Sequence, residues 1–186
     1  MANLDTLGSQ IICLGDSLTK GHGSSFGREY PSVLSELLGM PVVNAGVNGD
    51  TTAQALARLE YDVLDLDPAV VIIGLGGNDF LARTPVKETI ANLDAIVSAC
   101  IDQGAMVVLV HSKFGILGSD PYRDGHEALA KKYKTALVPH SLKDIFANPT
   151  RMSDPIHPND EGYALIAQRV YAVLTPLLDE AATRAP

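Results

Sequence analysis

The stretch "IICLGDSL", residues 11–18, runs from four apolar residues directly into a glycine, an acid and a serine. An uninterrupted apolar run of this kind is typical of a strand that is buried on both faces of a parallel sheet. Ligand sites in such sheets lie beyond the carboxyl ends of the strands. Ser17, which follows the run at once, is therefore a candidate functional residue.

Four further apolar runs resemble this first one. They are "PVVNAG" from residue 41, "AVVIIGLG" from 69, "AMVVLVH" from 105 and "TALVPH" from 135. Helical patterns separate them: an apolar stripe from Leu56 to Leu66, a second from Ile90 to Ile101 that starts at Thr84-Pro85 and stops at Gly104, and a third after Asn159. Alternating strands and helices predict an α/β fold with a parallel sheet and helices on both sides, and we expect residues 1–186 to form one domain.

The composition excludes several classes of function. Fourteen basic and 22 acidic residues give a net charge of −8, which argues against a nucleic-acid partner. No apolar run approaches the roughly 18 residues of a membrane span.

The N-terminal stretch lacks the features of a signal peptide, so we expect a cytoplasmic location, or an exported one where a leader has been removed. Cys13 and Cys100 have no partner spacing, and we expect two buried, unpaired thiols.

The polar residues after the strands suggest nucleophilic catalysis. A serine hydroxyl needs a base to take its proton, and a histidine held by a carboxylate is well suited to that task. His157 follows Asp154 by three residues, and both come after the fifth apolar run. Glycine amides or an asparagine side chain can stabilise the oxyanion that forms on attack. Gly46 and Asn78, at the ends of the second and third runs, are the candidates.

These segments resemble the four blocks of the SGNH, or GDSL, hydrolases in sequence and in order. The segments are "GDSL" at 15–18, the glycine of "NAGVNGDTT" at 44–52, "GGND" at 76–79 and "DPIH" at 154–157. The similarity is greatest to the small bacterial thioesterase I, lysophospholipase and arylesterase group. It implies a flavodoxin-like, three-layer α/β/α fold with five parallel strands.

The resemblance also implies roles for individual residues. Ser17 would be the nucleophile, His157 the base and Asp154 the acid that orients it. Gly46 and Asn78 would be oxyanion donors together with the Ser17 amide, and Asp16 would be structural. The implied reaction is hydrolysis of carboxylic esters by a serine esterase, with thioesters and lysophospholipids as further substrates. We expect a small-molecule ester as the binding partner, and no metal or cofactor.

Several alternatives remain open. A carbohydrate acetylesterase or an acyltransferase would use the same triad. "GSSFG" at 23–27 fits the G-x-S-x-G elbow of α/β-hydrolases around Ser25, but that elbow needs a strand directly before it. A flavin- or nucleotide-binding module shares the fold, although no phosphate-binding glycine motif follows a strand. A metallophosphoesterase would need clustered metal ligands, whereas the five histidines are scattered along the chain.

The loop after the fourth run is the candidate acyl pocket. Phe114, Ile116 and Leu117 lie in a stretch flanked by glycines, with Gly115 and Gly118 as hinges. These side chains either pack on the core or line a mobile wall for a short or medium acyl chain. Because the net charge offers no attraction to a polyanionic acyl-CoA, simple aryl or alkyl esters are the favoured substrates.

Overall fold

All five predicted strands form, and they make one parallel sheet in the order β2-β1-β3-β4-β5. The computed structural model describes residues 1–6, 8–113, 120–146 and 148–184. The strands are β1 Gln10–Gly15, β2 Val42–Gly46, β3 Pro68–Gly74, β4 Met106–Val110 and β5 Ala136–Val138. The strand order reverses at β1, which pairs with β2 on one side and with β3 on the other. A ligand crevice is expected at this switch point.

Helices follow the strands in turn. They are α1 Ser17–Lys20, α2 Tyr30–Leu38, α3 Thr52–Ala57, α4 Leu59–Asp62, α5 Gly77–Leu81, α6 Val86–Asp102, α7 Pro121–Tyr133 and α8 Asp160–Arg184, with short 3₁₀ turns at Leu64–Leu66 and Pro149–Arg151. Within the described part of the chain, no helix combines the length and the apolar character that a bilayer crossing requires. The cytoplasmic location stays a prediction.

Apolar layers on both faces of the sheet hold the helices. On one face, Cys13 and alternate strand residues pack against α2 and α8. On the other face, Ile12 and its neighbours pack against α3, α4 and α6, where Cys100 lies. The three-layer α/β/α prediction is thus confirmed. The two thiols are free, as expected, and burial raises the pKa of each to about 12.

The helical prediction for residues 56–66 is wrong in one respect. The stripe is divided among α3, α4 and a 3₁₀ turn. The chain leaves helical geometry at Arg58, with φ −105° and ψ 2°, and again at Val63, with φ −137° and ψ −60°. The start of α6 also differs from the prediction by one residue. The sequence suggests Thr84 as the N-cap and Pro85 as the first helical residue, whereas Pro85 occupies the N-cap in the structure.

Three glycines that pair across neighbouring strands leave the carboxyl ends of β1, β2 and β3 without side chains. Gly15 pairs with Gly46 in β2 and with Gly74 in β3. A Cβ atom at Gly46 would lie 2.2 Å from the Lys20 amide nitrogen, and one at Gly15 would lie 1.9 Å from Thr19 Oγ1. The missing side chains therefore let α1 lie directly on the strand ends, which places Ser17 at the switch point.

Candidate active site

Ser17 is the first residue of α1 and directly follows β1. The preceding residue, Asp16, caps this short helix, because its Oδ1 accepts a hydrogen bond from the Leu18 amide at 2.9 Å. Gly21 ends the turn in the left-handed conformation, with φ 89°. The segment "LTKGH" at 18–22, whose sequence reads as a loop before Ser25, is helical as far as Lys20, and the tight turn fixes the direction of the Ser17 side chain.

The structure brings Ser17, His157 and Asp154 into one hydrogen-bonded line. The distance from Ser17 Oγ to His157 Nε2 is 3.0 Å, and that from His157 Nδ1 to Asp154 Oδ2 is 2.8 Å. The other carboxylate oxygen, Asp154 Oδ1, accepts from the amides of Ile156 at 2.7 Å and of His157 at 2.8 Å. These bonds, led by the Ile156 amide, lower the pKa of Asp154 to about 2, so the carboxylate is ionised at neutral pH.

A tight turn before α8 carries both Asp154 and His157. The Ser153 amide donates to the His157 carbonyl at 2.9 Å, and the Ser153 hydroxyl donates to the same oxygen at 3.1 Å. The Asn159 side chain then caps α8 by accepting from the Glu161 amide at 3.1 Å. The acid and the histidine are thus held by backbone on both sides, and the His157 side chain is only 17% exposed.

Asn78 lies at the start of α5, after β3, and its neighbour Asp79 anchors it. Asp79 is buried and accepts from the Thr52 amide at 2.9 Å and the Thr52 hydroxyl at 2.6 Å. The Asn78 amide donates to the Asp50 carbonyl at 2.9 Å and more weakly to Asp16 Oδ2 at 3.4 Å. Asn78 therefore contacts Asp16, the residue that caps α1 and positions Ser17.

Asp16 is an acid in an unfavourable environment. Burial raises its pKa to about 6, although the Leu18 amide and the nearby His157 act in the opposite direction. The negative charge of Asp50 adds to the rise. Asp16 is buried and caps the short helix that begins at Ser17. These contacts agree with the structural role predicted for it.

A cavity of about 790 Å³ adjoins Ser17 and Asn78. Apolar side chains form most of its wall: the buried Leu142, the partly exposed Leu18, and the exposed Phe80, Leu81, Phe146 and Ile156. The predicted pocket residues Phe114, Ile116 and Leu117, with the hinges Gly115 and Gly118, lie outside the described residues. The wall that the structure does describe comes from α5 and from segments near residues 142–146 and 155–156, none of which has a periodic pattern in the sequence.

The rival serine, Ser25, is not at a strand end. It lies in an exposed loop, and its amide donates to Asp160 Oδ1 at 2.7 Å. The elbow of α/β-hydrolases needs a strand directly before the serine and a helix directly after it. Ser25 has neither, so the G-x-S-x-G match has no structural counterpart here.

Comparison with known proteins identifies the family. The profile of the GDSL-like Lipase/Acylhydrolase family matches residues 13–165, which include Ser17, Asn78, Asp154 and His157. The chain belongs to this family. As a GDSL hydrolase, it is an ester-hydrolysing enzyme of the serine hydrolase class.

Characterised relatives cover nearly the whole GDSL hydrolase. An arylesterase of Vibrio mimicus is 33% identical over 171 residues, which are 87% of this chain and 86% of the relative. The thioesterase 1/protease 1/lysophospholipase L1 of Escherichia coli (strain K12) is 30% identical over 176 residues, 91% of this chain and 85% of the relative. The crystal structure of TesA, 30% identical, superposes with a TM-score of 0.83 over 91% of this chain and 100% of TesA.

The predicted oxyanion donor Gly46 has its amide already engaged in this GDSL hydrolase. The Gly46 amide donates to Asn44 Oδ1 at 3.0 Å, and the residue is buried beneath α1. This hydrogen bond is at odds with a role in binding an oxyanion. Gly49, three residues after Gly46, is exposed and adopts the left-handed conformation, with φ 84°. Its backbone amide has no acceptor among the described residues. The Asn-Gly-Asp triplet at 48–50 is the sequence signal that marks this turn.

Arg58 is a further residue that the sequence pattern did not single out. Its Nε donates to Asp50 Oδ2 at 2.6 Å, and its Nη2 donates to the carbonyls of Gly15 at 3.1 Å and Ala45 at 2.9 Å. The guanidinium thus joins the ends of β1 and β2 to Asp50, whose carbonyl holds Asn78. Arg58 lies off the apolar stripe of Leu56 and Leu59, as an ordinary polar helix residue would, so the sequence carries no signal for this role.

Proposed function

We propose that this GDSL hydrolase cleaves carboxylic esters through an acyl-enzyme on Ser17. The observation that carries the proposal is the hydrogen-bonded line from Ser17 Oγ through His157 to Asp154. In the attack step, Ser17 Oγ bonds to the ester carbonyl carbon and its proton passes to His157 Nε2. The ionised Asp154 holds the Nδ1 proton, which leaves the lone pair on Nε2 and stabilises the imidazolium that forms.

Three donors around Ser17 suit the oxyanion of the tetrahedral intermediate. The Ser17 amide has no acceptor among the described residues, and neither has the Gly49 amide. Asn78 directs one amide hydrogen to Asp50, and its weak 3.4 Å contact to Asp16 leaves the other hydrogen available for the oxyanion. We infer that Ser17, Gly49 and Asn78, rather than Gly46, stabilise the negative charge.

The same residues suffice to complete the turnover. The imidazolium of His157 returns its proton to the leaving alcohol, which departs as the ester carbon–oxygen bond breaks. A water then attacks the acyl carbon and gives one proton to His157. The bond between the acyl carbon and Ser17 Oγ breaks, His157 returns the proton to Ser17 Oγ, and the carboxylic acid leaves. His157 therefore acts as base and acid in each half of the cycle, and no cofactor enters the reaction.

The cavity beside Ser17 supports short to medium acyl chains as substrates. Its apolar wall suits the alkyl part of an acyl group, and its volume of about 790 Å³ lies within the range usual for small-molecule sites. The names of the relatives, arylesterase and thioesterase, agree with aryl and alkyl esters and with thioesters. The acetyl group of an acetylated sugar would contact little of this apolar wall.

Burst kinetics with a p-nitrophenyl ester tests the proposal. We expect the wild type to release nitrophenol in a burst wherever deacylation is rate-limiting, and Ser17→Ala to abolish both the burst and the steady-state turnover. Ser25→Ala is the matched control, because Ser25 lies in an exposed loop, and it should retain both. A burst that survives in Ser17→Ala and disappears in Ser25→Ala would overturn the proposal.

A further inference from the structure

A second histidine, His22, lies against the proposed catalytic pair. Its ring is 4.3 Å from the ring of His157, centroid to centroid, and tilted by 54°. Its Nε2 is 4.0 Å from Asp154 Oδ2, the oxygen that accepts from His157. The proposed mechanism makes no use of His22, whose side chain is 52% exposed.

The three side chains offer a ligand set for a metal ion. One ligand atom each from His22, Asp154 and His157 lies within 4.8 Å of the others, and no other such group occurs in the part of the chain that the structure describes. Two imidazoles and one carboxylate are ligands that Zn²⁺ accepts, with a fourth position left to water. Harder cations such as Mg²⁺ prefer oxygen ligands and would bind weakly here.

The surroundings allow the ligands to close on an ion. Asp154 Oδ1 is engaged by two backbone amides, so Oδ2 is the oxygen left for a metal. The His22 backbone is fixed, because its carbonyl accepts from the Tyr163 hydroxyl at 2.7 Å. Its imidazole is half exposed, and it needs to approach Asp154 by less than an ångström to reach the roughly 3.3 Å spacing of ligands in a tetrahedral zinc site.

We propose that His22, Asp154 and His157 form an inhibitory site for Zn²⁺. This inference rests on the proposed function, because inhibition follows from the role of His157 as base. An ion on Nδ1 displaces the proton that Asp154 holds and leaves the remaining proton on Nε2. An ion on Nε2 occupies the lone pair itself. In both cases His157 can no longer accept the proton of Ser17, and the enzyme stops while Zn²⁺ is bound.

The test combines metal binding with activity. Calorimetric titration of Zn²⁺ into the EDTA-treated, dialysed protein should give one site in the wild type and in Ser17→Ala, since the serine is not a ligand. Activity should fall with the same Zn²⁺ dependence and return on addition of EDTA.

Variants at His22 decide the assignment. His22→Phe keeps a ring against His157 but removes the ligand atom, and we expect the half-inhibitory Zn²⁺ concentration, measured relative to each variant's metal-free activity, to rise at least about 10-fold, the smallest loss usual for a partner of a metal site. His140→Phe, which removes a histidine outside the cluster, should leave the Zn²⁺ sensitivity unchanged.

Each outcome separates the two proposals. An unchanged Zn²⁺ sensitivity in His22→Phe, or the absence of binding to the wild type, would overturn the metal site and leave the esterase mechanism intact. Binding that depends on His22 without any inhibition would overturn the inhibitory site and leave the esterase mechanism intact, because the ion would then leave His157 free to accept the proton of Ser17. Binding and inhibition that are lost together in His22→Phe would support both.

Discussion

Ser17 Oγ and His157 Nε2 lie 3.0 Å apart although 140 positions separate the two residues in the chain. Ser17 follows β1 and His157 precedes α8, so both lie at the carboxyl edge of the same sheet. Their hydrogen bond forms before any substrate is present. The proposed base is therefore already in contact with the proton that it has to remove, and changes to its surroundings should act on turnover directly.

Asp154→Asn should reduce kcat by between about 10²- and 10⁴-fold, the range for loss of a positioned acid–base group. An amide at this position can still accept from the Ile156 and His157 amides, but its NH₂ group would face Nδ1 and favour the imidazole tautomer with its proton on Nε2. Asp154→Ala imposes no tautomer and should be no more damaging than Asp154→Asn. Steady-state kinetics that show full activity in Asp154→Asn would contradict the orienting role.

Asn78→Ala should lower kcat by about 10²- to 10³-fold, the usual cost of one oxyanion donor, with little change in KM. The oxyanion exists only after attack, so ground-state binding should hardly change. The variant also loses the hydrogen bond to the Asp50 carbonyl, which is worth about 1 kcal/mol of stability. Thermal unfolding measured beside the kinetics separates the two effects, and an unchanged kcat would exclude the donor role.

Asp16 should make stability depend on pH between about 4 and 7. Because its pKa is raised from 3.8 to about 6, folding favours the neutral acid, and this contribution is present below pH 4 and lost as the pH rises through 6. Relative to Asp16→Asn, the wild type should lose up to about 3 kcal/mol of unfolding free energy over this window. Urea denaturation at both ends of the window measures it, and a constant difference between the two proteins would contradict the raised pKa.

Asp154 should hardly disturb that measurement, because its pKa shift acts at lower pH. Its pKa is lowered to about 2, so its stabilising contribution is present above its unfolded pKa of about 4 and is lost only as the pH falls towards 2. The window chosen for Asp16 lies above that range.

The acyl-chain preference should depend on the described wall of the cavity. We expect Leu81→Ala and Phe146→Ala to shift the preferred chain length of p-nitrophenyl esters, since one methylene in an apolar pocket is worth roughly 1–3 kcal/mol of discrimination. Leu37→Ala is the matched control, because Leu37 is an exposed leucine of α2 that does not line the cavity. A profile of kcat/KM that is identical in all four proteins would mean that the acyl chain binds elsewhere.

The sheet was predictable from the sequence because its strands are buried on both faces. Continuous apolar runs such as residues 11–14 and 70–73 have no other stable place in a chain of this composition, and all five runs became strands. Ser17 was predictable for a related reason, since it comes just after a buried strand at the carboxyl edge of the sheet. Asp154 and His157 lie well after β5, in the turn before α8, so they were predictable from the spacing of acid and histidine and from the family motif. The hydrogen-bonded line of the three residues agrees with that expectation, whereas their catalytic roles stay predictions.

Features that depend on contacts between segments far apart in the chain were not predictable. One local feature was also missed: the Asn44 side chain accepts from the Gly46 amide at the end of β2, and apolar periodicity does not report such a contact. The interruption of the 56–66 stripe at Arg58 depends on carbonyls of β1 and β2 that the guanidinium caps. The cavity wall likewise combines α5 with segments more than 60 residues later in the chain.

Covalent labelling tests the central claim most directly. A p-nitrophenyl alkylphosphonate should react once per chain, stop turnover completely, and add its mass to the peptide that carries Ser17. Labelling should be lost in Ser17→Ala and much slower in His157→Ala, while Ser25→Ala should label like the wild type. A label found on Ser25, or full labelling of Ser17→Ala, would contradict Ser17 as the nucleophile.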